Sequence, residues 1–202
     1  MIDPEVQKAR NMTFEINPVI VNRWSPRSFA PYDLSDKDLF SLFESARWAP
    51  SSSNSQPWRF IYTKRNSENW DDFFNLLIDF NKQWCADASA LVVVVSRKNF
   101  EHNGQSSITH QFDTGAAWEN LAIQAVSQGL VTHAMAGFDY DKARKTLQVP
   151  DDYDIMAMIA IGKRGPKERL TPELQARETP NTRKPLSEIV MEGKFGNKAK
   201  SL

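Results

Sequence analysis

Residues 46–62 read ARWAPSSSNSQPWRFIY, and the role of the middle of this run decides the fold around it. Upstream, Leu39, Leu42, Phe43 and Ala46 recur at helical spacing after Ser35-Asp36-Lys37-Asp38, a capping-box pattern, so a helix runs into the stretch. It should stop near Trp48, because Pro50 disfavours helical backbone at Ala49. Downstream, Trp58 to Thr63 is aromatic and β-branched, as in a strand. Between the two stand six small or amide side chains, Ser51 to Gln56, closed by Pro57. Composition alone describes a flexible linker. A helix and a strand abutting its ends leave little slack and point instead to a shaped surface loop.

The same signals extend outward. Asn17-Pro18 is an N-cap followed by a proline at the first helical position, opening a short helix through Asn22. Residues 70–84 predict one amphipathic helix and residues 90–95 a buried strand. A helix capped by Asp113 or Thr114 runs to Gly129, and Asp139 caps a short helix over 139–147. Residues 131–138 and 155–161 complete four strands. After Gly165 the chain turns polar and carries Pro166, Pro172, Pro180 and Pro185, the mark of an extended arm. The pattern predicts a sheet between helix layers in a single domain over 1–202, with arms over about 1–16 and about 164–202.

Lys and Arg number 25 against 25 Asp and Glu, so no global field draws the chain to nucleic acid or an anionic membrane. The single Cys85 excludes an intramolecular disulfide and a cysteine-rich metal site, in keeping with a reducing compartment. Met1-Ile2-Asp3-Pro4-Glu5 lacks the basic and then apolar stretches of a signal peptide, and the apolar runs are too short to span a bilayer. The expectation is a cytoplasmic protein with no membrane and no nucleic-acid partner. His102, His110 and Asp113 lack metal-ligand spacing, so no metal is expected. The aromatic stripe Trp70, Phe73, Phe74, Leu77, Phe80, Trp84 reads as core or dimer interface.

No strand–helix junction carries a glycine-rich phosphate loop; Gly162 and Gly165 precede Pro166 and a polar arm. A different phosphate device is available in NRWSPRSF, residues 22–29. In an extended segment Arg23, Ser25 and Arg27 project to one side, and arginine forks with a hydroxyl match phosphate oxygens. On its own the stretch is better read as a solvated basic turn between two helices.

Taken in order, Arg23-Trp24-Ser25-Pro26-Arg27, the capped helix, and Ala49-Pro50-Ser51-Ser52-Ser53-Asn54-Ser55-Gln56-Pro57-Trp58 resemble the nitroreductase family of FMN-dependent oxidoreductases. The likeness continues in Asp113-Thr114-Gly115-Ala116-Ala117, Asn120-Leu121, Gly129-Leu130, Gly137-Phe138-Asp139, Ile161-Gly162 and Arg183-Lys184-Pro185-Leu186. Pro-Ser-Ser-x-Asn-x-Gln-Pro-Trp is its specific part.

The resemblance implies an α+β fold, a mixed sheet sandwiched between helix layers, in an intertwined homodimer with FMN at the interface and NAD(P)H as electron donor. It places Arg23, Trp24, Ser25 and Arg27 along the phosphate, ribityl chain and pyrimidine edge, and Arg183 as a second phosphate cation. Pro50, Ser51, Ser52 and Asn54 would reach the flavin from the partner subunit, and Asn81 would lie near the pyrimidine edge. The backbone of Ala136 and Gly137 would face flavin N5. No catalytic side chain is expected, since the cofactor carries the hydride to a nitroaromatic, quinone or similar small acceptor. Two positions depart from the family pattern: Ala136 stands where a Glu is frequent, and Trp84 where a Lys is, leaving Arg27 or Lys82 to polarise the O2 end of the ring. Two alternatives share these residues: a flavin-storing dimer without turnover, and a flavin enzyme of another reaction, such as reductive dehalogenation or flavin destruction, for which the short 100–112 loop offers few lid residues.

Overall fold

The strand β3 (Ala90–Arg97) divides the protein into two cores. Leu91, Val93 and Val95 enter one cluster with Phe29, Phe73, Trp84, Met158 and Ala160. Ala90, Val92 and Val94 enter another with Leu39, Leu42, Leu121, Ile159 and Ile161. A strand covered on both faces must be apolar at every position, which is why residues 90–95 carry no alternation in sequence. The structure, a computed structural model, describes residues 1–201.

β3 pairs with β2 (Trp58–Lys64) on one side and with β5 (Tyr153–Arg164) on the other. β4 (Val131–Met135) also pairs with β5, and the two-residue β1 (Phe29–Ala30) joins the end of β5 through Phe29 opposite Arg164. Where the resemblance implies a mixed sheet, the described pairings within this chain are all antiparallel. Helices α3 (Asp36–Arg47) and α6 (His110–Ser127) cover one face. The other face takes Phe73 from α4 (Trp70–Phe74), Trp84 and Cys85 from α5 (Asp79–Cys85), Ala143 from α7 (Tyr140–Thr146) and Leu174 from α8 (Pro172–Gln175). Among the described residues no helix is long and apolar enough to cross a membrane.

Local capping chemistry sets the helix starts. The Asn17 side chain accepts from Val19 N–H at the head of α2 (Pro18–Asn22), Ser35 from Asp38 N–H, and Asp139 from Lys142 N–H. Two expectations need correction. The helix expected over 70–84 is two helices, because Leu77 bridges to Phe138 and the Ile78 N–H donates to the Gly137 carbonyl at 3.2 Å. Those tertiary bonds take backbone groups that a continuous helix would have used. Helix α6 begins about a turn early, at His110 with Thr109 in the capping position, so Asp113 lies inside it and caps nothing.

Both arms dock. In α1 (Pro4–Ala9) Val6 is buried, and Glu5 meets the Arg164 guanidinium through two bonds of 2.6 and 3.0 Å. After Gly165 the chain buries Leu170, Leu174 and Glu178 before it becomes exposed from Asn181 onward, with Leu186 and Ala199 half-buried. α9 (Leu186–Ile189) lies in that exposed part.

β1 lies so close to Gly165 that a β-carbon there would stand 2.8 Å from the Phe29 carbonyl carbon and 2.9 Å from Ala30 N. Both neighbours are backbone, so neither can rotate away. Gly165→Ala is expected to lower the unfolding free energy by about 1–3 kcal/mol, read as a lower urea midpoint at an unchanged denaturant slope.

Candidate functional site

The segment carrying Arg23, Ser25 and Arg27 leaves α2 in extended conformation, with Arg23 at φ −68° and ψ 119°. Its far end is fixed by a buried carboxylate. Arg27 N–H donates to both oxygens of Glu178 at 2.9 Å, and Ser28 N–H donates to Oε1 at 2.9 Å. The Ser28 hydroxyl adds a 2.6 Å bond to the Pro166 carbonyl. Glu178 is only 1% exposed; an unpaired carboxylate there would be costly, and charge-assisted bonds to backbone N–H groups offset that cost.

His133 on β4 fixes the middle of the segment. Its Nδ1 lies 3.0 Å from the Pro26 carbonyl. A carbonyl only accepts, so Nδ1 carries the hydrogen. The ring packs 4.5 Å from Trp84, centroid to centroid. Burial, with the nearby charges of Arg27 and Arg23, outweighs the bond to Pro26 and lowers the His133 pKa to about 4. The imidazole is therefore neutral at neutral pH and braces the segment.

Around this segment the cations gather. Arg23 Nε sits 3.3 Å from Glu119 Oε1 on α6, and the Arg164 guanidinium lies 4.7 Å from the centre of the Trp24 ring. The Arg27 guanidinium has its proton affinity lowered, chiefly by burial and then by Arg177, with Glu178 opposing. Arg27 Nε is buried with no hydrogen-bond partner among the described residues, an unspent donor of the kind an anionic or polar ligand would use. From the C-terminal arm, Arg183 Nη1 donates to Asn181 Oδ1 and to the Thr182 carbonyl, each at 2.9 Å.

The 50–57 loop is a knot. Ser53, Asn54 and Gln56 have φ of 51°, 53° and 48°, the left-handed region that non-glycine residues enter at a cost of order 1–3 kcal/mol when nothing offsets it. The offsets are visible. Asn54 N–H bonds the Ser51 carbonyl at 3.0 Å, Gln56 N–H bonds Ser51 Oγ at 3.0 Å, and Ser52 N–H donates to Asp113 Oδ2 at 3.1 Å. Asp113, which also accepts from the Thr109 hydroxyl at 3.2 Å, is thus the loop's anchor. Pro50 and Asn54 are exposed, Ser51 and Ser52 half-buried. Among the described residues no hydrogen bond or ion pair joins this loop to Arg23, Ser25, Arg27 or Arg183.

Asn81 braces the chain just beyond β4. Its Nδ2 donates to the Gly137 carbonyl at 2.9 Å, and its Oδ1 accepts from Trp84 Nε1 at 3.2 Å. Trp84 is 4% exposed, stacked on Phe29 at 6.2 Å, and belongs to the core. Lys82 lies 3.5 Å from Asp79 on the same helix. Ala136 is exposed, and the Gly137 N–H donates to no group among the described residues. A β-carbon on Gly137 would meet Asn81 Nδ2 at 2.4 Å, so glycine here lets the chain pass over the amide. Sequence reasoning missed Glu178 and the part played by Asp113, because both bond partners far away along the chain.

Residues 20–163 match the nitroreductase family. In fold the chain superimposes on the crystal structure of an FMN-containing oxidoreductase with a TM-score of 0.90 at 38% identity, covering 94% of this chain and 97% of that one. An uncharacterized 15.4 kDa protein encoded in the ask 5′ region of Mycolicibacterium smegmatis is 31% identical over 150 residues, 69% of this chain and 98% of its own length. An oxygen-insensitive NADPH nitroreductase of Helicobacter acinonychis is 41% identical over 71 residues, 35% of this chain and 32% of its own.

The depressed pKa of His133 gives stability a pH dependence of definite sign. Above its ordinary value of about 6.5, His133 is neutral whether folded or unfolded. As pH falls from there toward about 4, the unfolded chain takes up a proton that the folded chain refuses, and stability falls. Denaturant unfolding of the parent protein is expected to lose about 2–4 kcal/mol more between pH 7 and pH 4 than His133→Gln loses; parallel losses would show that His133 does not supply this dependence.

Proposed function

The chain belongs to the nitroreductase family, and from that premise we propose that it is an FMN-dependent oxidoreductase that takes electrons from NAD(P)H and passes them to nitroaromatics, quinones or similar small acceptors. One observation carries the proposal: an extended arginine segment held by Glu178 and His133, with a buried arginine donor, Arg27 Nε, that has no partner among the described residues. FMN, when bound, supplies acceptance of a hydride from the nicotinamide and return of two electrons to the acceptor.

The chain's own residues position that group and shape the field around it. Arg23, Ser25 and Arg183 would hold the phosphate, a dianion that needs more than one cation. Arg27, with its unspent donor, would hold the pyrimidine edge, where positive charge favours the reduced cofactor. It would take the part that a lysine at position 84 plays in many members, since Trp84 is built into the core. The free Gly137 N–H is a donor that carries no acidic proton into the site. His133, neutral and committed to Pro26, holds the segment and transfers no proton.

The loop residues Pro50, Ser51, Ser52 and Asn54 make no bond to the arginine segment of their own chain. They would therefore cover the cofactor of a second copy, giving a homodimer with two sites. The setting we propose is the cytoplasm.

Purified protein is expected to show flavin absorbance that bleaches under anaerobic NADH or NADPH and returns when a nitroaromatic or quinone is added. Bound flavin that neither nucleotide bleaches would replace this function with storage or another donor, and a colourless protein that takes up no added FMN would overturn it.

A further inference from the structure

Arg10 follows α1 in extended conformation, at φ −119° and ψ 122°, and its half-buried guanidinium joins three segments distant in sequence. Nη1 donates to the Val21 carbonyl and, at 2.9 Å, to the Arg23 carbonyl. Nε donates to the Asn181 carbonyl at 3.0 Å, and Nη2 reaches Asn181 Oδ1 at 3.3 Å. The same Asn181 Oδ1 accepts from Arg183 Nη1 at 2.9 Å. A planar fork with five donors is suited to this bridging, which a lysine ammonium on a flexible stem could not reproduce.

The charges around this bridge do not balance. Every acceptor of Arg10 is a neutral carbonyl or amide oxygen, and among the described residues no carboxylate forms an ion pair with Arg10 or Arg183. Glu119, itself half-exposed, pairs with Arg23 alone. Three guanidinium groups thus share one region with one carboxylate. Burial lowers the proton affinity of Arg10, and Arg183 and then Arg23 lower it further. Like charges drawn together by a fixed hydrogen-bond network are stabilised when an anion binds among them.

We infer that Arg10 is a positioning residue of the phosphate site: it ties the Arg23 and Arg183 segments to one another so that both face a single phosphate monoester, and it thereby selects phosphorylated flavin over riboflavin. The inference rests on FMN being the cofactor. It makes the N-terminal arm a working part of the site, since cutting the arm away would remove a side chain that bonds both the Arg23 carbonyl and the Asn181 carbonyl.

The test compares two ligands that differ in the phosphate. Full-length protein stripped of flavin is titrated with FMN and with riboflavin, following flavin fluorescence, for the parent, Arg10→Ala and Arg10→Lys. Arg10→Ala is expected to weaken FMN binding roughly ten- to a hundredfold and to change riboflavin binding by less than about threefold. Arg10→Lys, which keeps the charge and loses the fork, should fall between, and FMN affinity should depend less steeply on salt in both variants. If Arg10→Ala does not fold, Arg10→Lys must still narrow the gap between the two flavins. Equal losses for FMN and riboflavin would overturn the inference by making Arg10 a structural brace only, and so would an unchanged FMN affinity. Failure of the FMN assignment looks different: the parent protein would bind neither flavin.

Discussion

A buried carboxylate from the last third of the chain holds the backbone of its first thirty residues. Glu178 accepts the N–H groups of Arg27 and Ser28, partners 151 and 150 positions away. Neutral oxygens at the same place would remove the negative charge that opposes the burial of the Arg27 guanidinium, and no acceptor at all would leave two N–H groups unsatisfied in the interior. With the bond in place, Phe29 and Ala30 lie against the end of β5, Gly165 passes under them without a side chain, and Arg27 is aimed from a fixed backbone. His133 then holds Pro26 and Arg10 holds Arg23, so each part of a short extended segment has its own distant support. Extended backbone between a helix and a strand has no ladder of its own, and these side chains replace it.

What the sequence revealed follows from the range of the interactions involved. The caps at Asn17, Ser35 and Asp139 act over two or three residues and are visible as local patterns. The doubly covered strand at 90–95 is visible because burial on both faces leaves an unbroken apolar run. The break at residues 75–78 is not visible, since the periodicity of residues 70–84 continues through it and only the docking of Leu77 and Ile78 onto Gly137 and Phe138, just beyond β4, interrupts the helix. Asp113 looked like a cap for a similar reason: its real partner, Ser52 N–H, stands 61 positions away. The loop at 50–57 is legible as a shaped loop rather than a linker from its small side chains and flanking elements. Its three left-handed residues are not, because none of them is glycine and the bonds that hold them come from the folded environment.

Among the described residues the candidate site divides into two parts that share no hydrogen bond or ion pair. One is cationic and braced, with Arg23 and Arg27 near a neutral imidazole and Arg183 held by Asn181. The other is small, polar and strained, anchored to the first turns of α6 by Asp113. A phosphate-bearing planar cofactor needs both: charge for its anionic end, and backbone and amide groups free of bulk for its ring. In the proposed homodimer two copies would supply together what one copy keeps apart, each part braced within its own chain.

The most direct measurement is a crystal structure of the full-length protein grown with FMN. Phosphate density between the Arg23 and Arg183 guanidinium groups, with residues 50–54 of a second copy against the ring, is the predicted result. Phosphate bound away from both arginines, or a ring covered by the loop of its own chain, would contradict it.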